Sequence, residues 1–380
     1  MSEKDKVNAL SFLKESATNF PERPKLVEDM LVFSMPDGLG MQFRGLSSPV
    51  VLCGALVEAL LAKLLPLLDG EHDVSQLIEK CGNGAEPGDV AVLLMNLFMR
   101  GAICDPDKVS PPANIVDRKN LLFFGRNLGA TRNNGSASQV AAKLARAHIV
   151  VIASGLIGAS TIDLLNRSGF EKISAAALLS EADAQETFAG LQSGISLEFI
   201  ESKESAVRNY LQSRLQSADL VVAVLRNEPR VMFAMINEIC VQAGVQWIRA
   251  CDNLSRIELG PYVNPYDSAC FECMLVREIS ASDHAVEEEL YQKYLEDQQA
   301  DRGPVGESLA LATQASAYLA QEAVRIVSAI ERPQLDGRVL NFYSDGNIDQ
   351  NSFTRVPRCE VCARAGALVL PEKEHASKIS

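Results

Sequence analysis

The stretch from Ala147 to Gly169 constrains the fold of this 380-residue chain more than any other part of it. Residues 149–152 are all β-branched, which is typical of a strand buried on both faces of a parallel sheet. A glycine turn follows at once, and a helical pattern follows the turn. In such strand–turn–helix units the free N–H groups at the start of the helix can bind phosphates. The sequence therefore predicts an α/β domain built around this unit.

The turn departs from the glycine pattern that a phosphate-binding turn uses. It reads A-x-G-x-x-G, so Ala153 stands where the first glycine of the dinucleotide fingerprint would be, ahead of Gly155 and Gly158. That first glycine permits the tight turn, and a methyl group in its place is expected to spoil it. These three residues are predicted to form a vestigial nucleotide loop.

Further strand patterns follow the turn, and each is separated from the next by room for a helix. The predicted strands are 172–179, 195–200, 220–225 and 246–250. Strands that alternate with helices in this way indicate a parallel, doubly wound sheet. A solvated helix or loop is expected at the acidic stretch 283–301, and a long helix of small residues at 306–330.

The N-terminal third has a different pattern, in which short strands precede helices. The predicted strands are 31–35, 40–44 and 50–52, and the predicted helices are 55–67, 74–81 and 87–99. A small sheet followed by three helices is a winged helix-turn-helix outline. The last helix, through Arg100, contains one arginine and no lysine, which argues against DNA binding. Such an outline can also capture an extended peptide at a strand edge.

Composition limits the other classes of function. A net charge of −13 argues against nucleic acid and anionic membranes as partners. The N-terminus has no apolar signal core, and the most apolar run, 50–68, includes Glu58, Lys63 and Pro66, so no membrane span is expected. We expect a cytoplasmic protein, in which the nine cysteines serve as thiols or metal ligands.

Two C-x-x-C pairs give the strongest chemical signal in the chain. The four residues are Cys270, Cys273, Cys359 and Cys362. Paired knuckles of this kind suit tetrahedral zinc, and a closed four-thiolate site is structural. A redox dithiol is the alternative, although neither pair has the strand-to-helix context of a thioredoxin-like motif. Cys251, at the end of a predicted strand, remains a candidate reactive thiol.

Three segments resemble a known family: Gly260-Pro261-Tyr262, S-A-C-F-E-C at 268–273 and R-V-P-R-C-E-V-C at 355–362. Together with the glycine turn, they resemble the ThiF/MoeB superfamily of ubiquitin-activating-like proteins. In addition, V-V-L-C-G-x(11)-P-L-L-D-G at 50–70 resembles the leader-recognition element of ribosomal-peptide modification systems. The whole chain is similar to the ThiF-like partner proteins of azole- and azoline-forming (thiazole/oxazole-modified microcin) cyclodehydratases.

The resemblance implies a fold and a domain organisation. It implies a winged-helix-like peptide-binding domain, followed by a Rossmann-like, doubly wound ThiF-type domain with a structural zinc site. The expected segments are a flexible N-terminus (1–25), the leader-recognition domain (26–106), a linker (107–120), the ThiF-like domain (121–366) and a flexible tail (367–380).

The resemblance also implies partners. In this family the precursor's leader peptide adds as a strand between the third strand and the third helix. The residues carried over are Val50, Val51 and Leu52 on the strand, with Val92, Asn96 and Arg100 on the helix. A separate YcaO-type protein, which uses ATP during ring closure, is the implied catalytic partner. A homodimer, usual in the superfamily, is also allowed.

The adenylating members of the superfamily hold the ATP ribose with an aspartate about nineteen residues after the turn. That position is Ala177 here, and residues 178–188 lack the arginine-bearing S-N-L-x-R-Q stretch. Each missing charge-assisted contact is worth roughly 1.5–3 kcal/mol. The sequence therefore argues against ATP on this chain and against independent catalytic activity.

Two alternatives stay open. An active adenylyltransferase acting on a peptide or carrier-protein carboxylate would need Glu181 or Asp183 to replace the ribose ligand. An NAD-dependent oxidoreductase could use Glu181 in the same way, but no general acid stands out among the histidines. The four histidines are His72, His148, His284 and His375.

Overall fold

The computed structural model separates the chain into two compact units. It describes residues 3–16, 20–46, 49–82, 85–106, 115–179, 184–191, 195–226, 230–253, 256–265, 267–297 and 306–365. Unit 1 comprises Met1–Lys143 and Ser328–Arg332, and unit 2 comprises Leu144–Val327 and Pro333–Ser380. The boundary at 143/144 differs from the expected domain start at residue 121.

Unit 1 has a small antiparallel sheet and a helical core. Its elements are α1 (Glu3–Ser16), β1 (Lys25–Leu26), β2 (Leu31–Ser34), β3 (Met41–Arg44), β4 (Val50–Leu52), α2 (Ala55–Leu64), α3 (Val74–Cys81), α4 (Pro87–Met99), β5 (Ile103–Cys104), α5 (Ile115–Asn127) and most of α6 (Ala137–Arg146). Strands β2, β3 and β4 pair in that order, and β1 pairs with β5. Phe43 of β3 packs with apolar residues of α2, α3 and α4 in a single core.

The N-terminal segment differs from the expectation of a flexible chain. Residues 3–16 form α1, which packs against α4 and buries Ala9 and Leu13 in the core of unit 1. These two apolar residues are four apart and so share one face of the helix. The expected linker also differs, because α5 begins at Ile115. Residues 107–114 and the expected tail lie outside the described residues.

Unit 2 is built on a large sheet. Its elements after α6 are β6 (His148–Ala153), α7 (Gly155–Arg167), β7 (Lys172–Leu179), α8 (Ala184–Phe188), β8 (Ser196–Glu201), α9 (Glu204–Gln212), β9 (Leu220–Arg226), α10 (Arg230–Ala243), β10 (Trp247–Asp252), β11 (Arg256–Val263), α11 (Phe271–Ala281), α12 (Ala285–Asp297), α13 (Leu309–Ser328), β12 (Arg338–Tyr343), β13 (Ile348–Ser352) and α14 (Cys362–Ala365). The strand order is β13-β12-β11-β10-β9-β6-β7-β8.

The sheet confirms an α/β fold with mostly parallel strands. The five strands from β8 to β10 are parallel, as the sequence predicts. Strands β11, β12 and β13 are antiparallel and were not predicted. Only residues 253–255 join β10 to β11, which is too short for the crossover that a parallel pair requires. The sheet is therefore mixed at one side.

The strand order reverses between β6 and β9. From β6 the chain continues outward to β7 and β8, and it then returns to the other side of β6 to form β9. Such a switch point leaves a crevice at the carboxyl ends of the strands, where open α/β sheets bind ligands. Residues 149–153 of β6 are fully buried, so the glycine turn is fixed beside this crevice.

No helix in the described part of the chain is both long enough and apolar enough to span a bilayer.

Candidate functional site

The predicted glycine turn lies at the switch point of the sheet. Gly155 begins α7 with a left-handed φ of +66°, which favours glycine. A Cβ added to Gly158 would lie 2.9 Å from the Cβ of Ala153, so α7 passes directly over the end of β6. Gly158 therefore keeps the packing role of the last glycine in the fingerprint.

An internal carboxylate binds the start of α7. The backbone N–H of Leu156 donates to Oε2 of Glu307 at 2.7 Å. Arg226, at the end of β9, places its Nε 3.0 Å from Oε1 of the same carboxylate. These two side chains are 1% and 7% exposed. Helix N-termini favour anions, and here a glutamate takes the place that a phosphate would need.

The sequence identified the turn but missed both charged residues that fill it. Glu307 lies 151 positions after Leu156, whose backbone N–H it accepts. No local sequence pattern reveals a contact between residues so far apart. Arg226 ends a strand that is otherwise apolar. Its backbone N–H donates a hydrogen bond to Oγ of Ser154 at 2.8 Å. A charged residue at the end of a buried strand is the one signal that could have suggested a role.

Three further residues bear on nucleotide binding: Ala177, Glu181 and Asp183. Ala177 is fully buried in β7 and has no polar side chain to offer a ribose. Glu181 and Asp183, the alternative ribose ligands, lie outside the described residues.

Gly155→Ala is expected to destabilise unit 2 by about 2–5 kcal/mol. A left-handed backbone costs alanine about 1–2 kcal/mol, and overpacking adds about 1–3. The new Cβ would lie 2.3 Å from Oε1 of Glu307. Urea unfolding of the two variants measures the effect. Gly190→Ala is the matched control, because its Cβ meets no atom within 4 Å. Equal stability of the two variants would contradict the described turn.

The four predicted cysteines come together in unit 2. Their Sγ atoms all lie within 4.8 Å of one another, and all four residues are buried. The separations are 3.8 Å for Cys270–Cys273, 3.7 Å for Cys270–Cys359 and 3.6 Å for Cys273–Cys362. A disulfide requires about 2.05 Å, so the cysteines are free thiols.

This geometry fits a tetrahedral metal ion such as zinc. Four sulfurs at about 2.3 Å from zinc would be about 3.8 Å apart, close to the separations found. Hydrogen bonds from the thiol of Cys270 and the N–H of Val356 lower the pKa of the Cys273 thiol, which favours the thiolate that binds metal. Cys270 directly precedes α11, and Cys362 opens α14, so the cluster joins two segments distant in sequence.

The predicted leader-binding residues divide into a buried and an exposed group. Val50 is 3% exposed and belongs to the core of unit 1, so only its backbone is available to a peptide. Leu52 is half-buried. The side chains exposed to solvent are those of Val51, Val92, Asn96 and Arg100.

Strand β4 is an edge strand. It pairs with β3 through Val50, Val51 and Leu52, and its other side has no strand partner among the residues described. An edge of this kind presents unpaired N–H and C=O groups to an incoming strand.

The remaining candidate residues that the structure describes, the histidines and Cys251, lie apart from one another and from the glycine turn. The described histidines form hydrogen bonds with unrelated neighbours, as His72 does with Asp69 and His148 with Ser174, or lie exposed, as His284 does. The thiol of Cys251 is buried and donates to Oδ1 of Asn253 at 2.9 Å. His375 lies outside the described residues.

No protein-family model matches the sequence, and no curated protein matches it either. The fold, however, is similar to that of E. coli MccB, with a TM-score of 0.67 and 17% identity over 89% of this chain and 96% of that one. MccB bound to ATP and the microcin C7 biosynthetic enzyme MccB bound to N-formylated MccA match with TM-scores of 0.63 and 0.64. Both are 18% identical over 89% of this chain and 99% of theirs.

A heterocyclase in complex with substrate and cofactor is a second similar structure. Its TM-score is 0.54 and its identity 16%, over 89% of this chain and 39% of the heterocyclase chain. At such low identities, what the proteins share is the fold.

Proposed function

We propose that the chain is the leader-binding, substrate-delivering subunit of a heterocycle-forming complex that modifies a ribosomally made peptide. It would act with a separate, ATP-using YcaO-type protein. The observation that carries this proposal is the open edge of β4, with the exposed side chain of Val51 on the same strand. The likeness to MccB bound to MccA and to a substrate-bound heterocyclase supports it.

Leader binding would proceed by strand addition in unit 1, proposed here to be a winged-helix peptide-binding domain. The peptide backbone would pair with the backbone of β4, and the pockets beside it would select alternate side chains. Val51 offers an apolar contact that is already exposed, so binding it would bury surface without unfolding the unit. On α4, Val92 offers a second apolar contact, and Arg100 offers a cation to an acidic leader residue.

The nucleotide loop is proposed to be vestigial. A phosphate at the start of α7 would meet the carboxylate of Glu307, which already accepts the N–H of Leu156. Displacing that carboxylate would leave Arg226 buried without its present partner at 3.0 Å. Moving the buried Glu307 carboxylate away would cost its contacts with Leu156 and Arg226, and a phosphate would have to replace both. A nucleotide would have to overcome this cost before gaining any affinity.

The four-cysteine cluster is proposed to hold zinc in a structural role. Bound zinc would supply a cross-link between α11 and the segment from Val356 to Cys362. Because four thiolates complete a tetrahedron, such a site has no position left for a substrate.

An adenylyltransferase is the second candidate, since the fold is also similar to that of MccB with ATP. This function would require the carboxylate of Glu307 to move away from the start of α7, whereas Arg226 could stay and pair with a phosphate.

A paired experiment separates the two functions. The probes are fluorescent leader peptides from short Cys/Ser/Thr-rich reading frames sought near this gene, titrated into the full chain with and without Mg-ATP. We expect micromolar binding that ATP does not change, and no carboxylate-dependent pyrophosphate exchange. Exchange without leader binding would overturn the proposal in favour of adenylylation.

A further inference from the structure

Four arginines line two adjoining cavities in unit 2. The cavities have volumes of about 250 and 400 Å³, and both are lined by Arg249, Arg256 and Glu258. The smaller is also lined by Arg230 and the larger by Arg277. We name the two cavities together the arginine cleft. The smaller cavity alone can hold several waters or one small molecule.

Arg249 is the buried centre of the arginine cleft. Its side chain is 3% exposed, and its guanidinium carbon lies 5.1 and 5.0 Å from the ring centroids of Phe233 and Phe271. Nη2 donates to Oε2 of Glu258 at 2.8 Å. Nε has no hydrogen-bond partner among the residues described. A buried donor left in this state costs about 1–3 kcal/mol, so the protein keeps this arginine in the interior at a cost in stability.

The charge balance of the cleft favours an anion. Its four arginines face three glutamates, Glu258, Glu278 and Glu288, whereas the whole chain carries a net charge of −13. Glu258 is shared between two arginines, since Arg256 also donates to it at 2.8 Å. The two cavities together therefore have one arginine in excess, although the smaller cavity alone is lined by three arginines and three glutamates.

Arg230 is an accessible arginine that lines the smaller cavity. It begins α10, its side chain is 25% exposed, and it lies 3.3 Å from Glu278 and 3.5 Å from Glu288. These contacts are long for charge-assisted hydrogen bonds, which are usually 2.7–2.9 Å. The side chain can therefore bind another acceptor without breaking a tight ion pair.

The cleft lies at the ligand-binding edge of the sheet but apart from the glycine turn. Cys251 and Asn253, which line it, mark the carboxyl end of β10, and β10 runs parallel to β9. Parallel α/β sheets bind ligands at this edge. Strand β9 separates β10 from β6, which leads into the glycine turn.

We propose that the arginine cleft binds a small oxyanion bearing a phosphate or carboxylate group, which accepts hydrogen bonds from the guanidinium groups of Arg249 and Arg230. This site is independent of leader binding in unit 1.

Calorimetric titration of the full chain tests the proposal, with inorganic phosphate and citrate as probes at constant ionic strength. We expect millimolar or tighter binding of at least one probe, and the probe that binds identifies the group as phosphate or carboxylate. Arg230→Gln should weaken binding about tenfold or more, as expected for a lost charge-assisted hydrogen bond, without changing thermal unfolding. Arg249→Lys keeps the charge but removes the planar guanidinium, and it should weaken binding as well.

Arg167→Gln is the matched control, because Arg167 is an exposed arginine of unit 2 that pairs with Asp163 on α7. It should leave binding unchanged. Binding of neither probe to the unmodified chain would overturn the proposal, and so would equal weakening by Arg230→Gln and Arg167→Gln.

Discussion

Cys273→Ser is expected to remove one equivalent of zinc per chain and to unfold unit 2. Structural zinc in small fingers contributes about 10–16 kcal/mol at neutral pH, whereas a domain is stable by only about 5–15 kcal/mol. The four buried sulfurs lie within 4.8 Å of one another. The variant would therefore keep three thiols close together but lack the fourth ligand for zinc. Metal analysis of the purified protein and urea unfolding followed by circular dichroism measure the two effects.

Cys104→Ser is the control for this prediction, because Cys104 is half-buried on β5 of unit 1. The four clustered cysteines belong to unit 2 and lie far from Cys104 in the sequence. It should keep the zinc and the stability of the unmodified chain. A chelator should lower the unfolding midpoint of unit 2, and added zinc should restore it. A chain that purifies without metal and unfolds at the same urea concentration with and without zinc would rule out the structural site.

Val51→Asp is expected to weaken leader-peptide binding about 100-fold or more. The Val51 side chain is 39% exposed, so the change should leave the fold of unit 1 intact. In the complex, the introduced carboxylate would be desolvated by the apolar side chains of the bound leader peptide. A penalty of about 2.7 kcal/mol corresponds to 100-fold in affinity. Fluorescence anisotropy with the labelled leader measures the change.

Val7→Asp provides the matched control, since Val7 is a valine of α1 that is 56% exposed. It introduces the same charge into the same unit and should leave leader affinity unchanged. Val92→Asp, on α4, should weaken binding in the same direction as Val51→Asp. If the leader binds Val51→Asp and the unmodified chain equally well, β4 is not the docking edge.

Features encoded by neighbouring residues were predictable from the sequence. The β-branched run at 149–152 has a single plausible environment, the centre of a parallel sheet, and β6 lies there with its neighbours parallel. The two C-x-x-C pairs were likewise readable, because each pair positions two thiolates by itself. Only the meeting of the pairs depends on the tertiary fold, and the structure confirms it.

Features that depend on distant contacts were not predictable. Nothing near Glu307 indicates that its carboxylate lies at the start of α7. Helix α1 is amphipathic only weakly, and its burial comes from packing against α4 rather than from its own pattern. Strand β13 has only exposed residues, so it lacks the apolar alternation by which a strand is recognised.

The Arg226–Glu307 pair also bears on how this chain can change over time. Substituting either member alone would strand the other as a lone charge in the interior, at a cost of about 3–5 kcal/mol. A lineage that lost one of the two residues would have to replace the other almost simultaneously, or survive an intermediate close to unfolding. The pair therefore constrains substitution at the start of α7, and its two residues should be found replaced together or not at all.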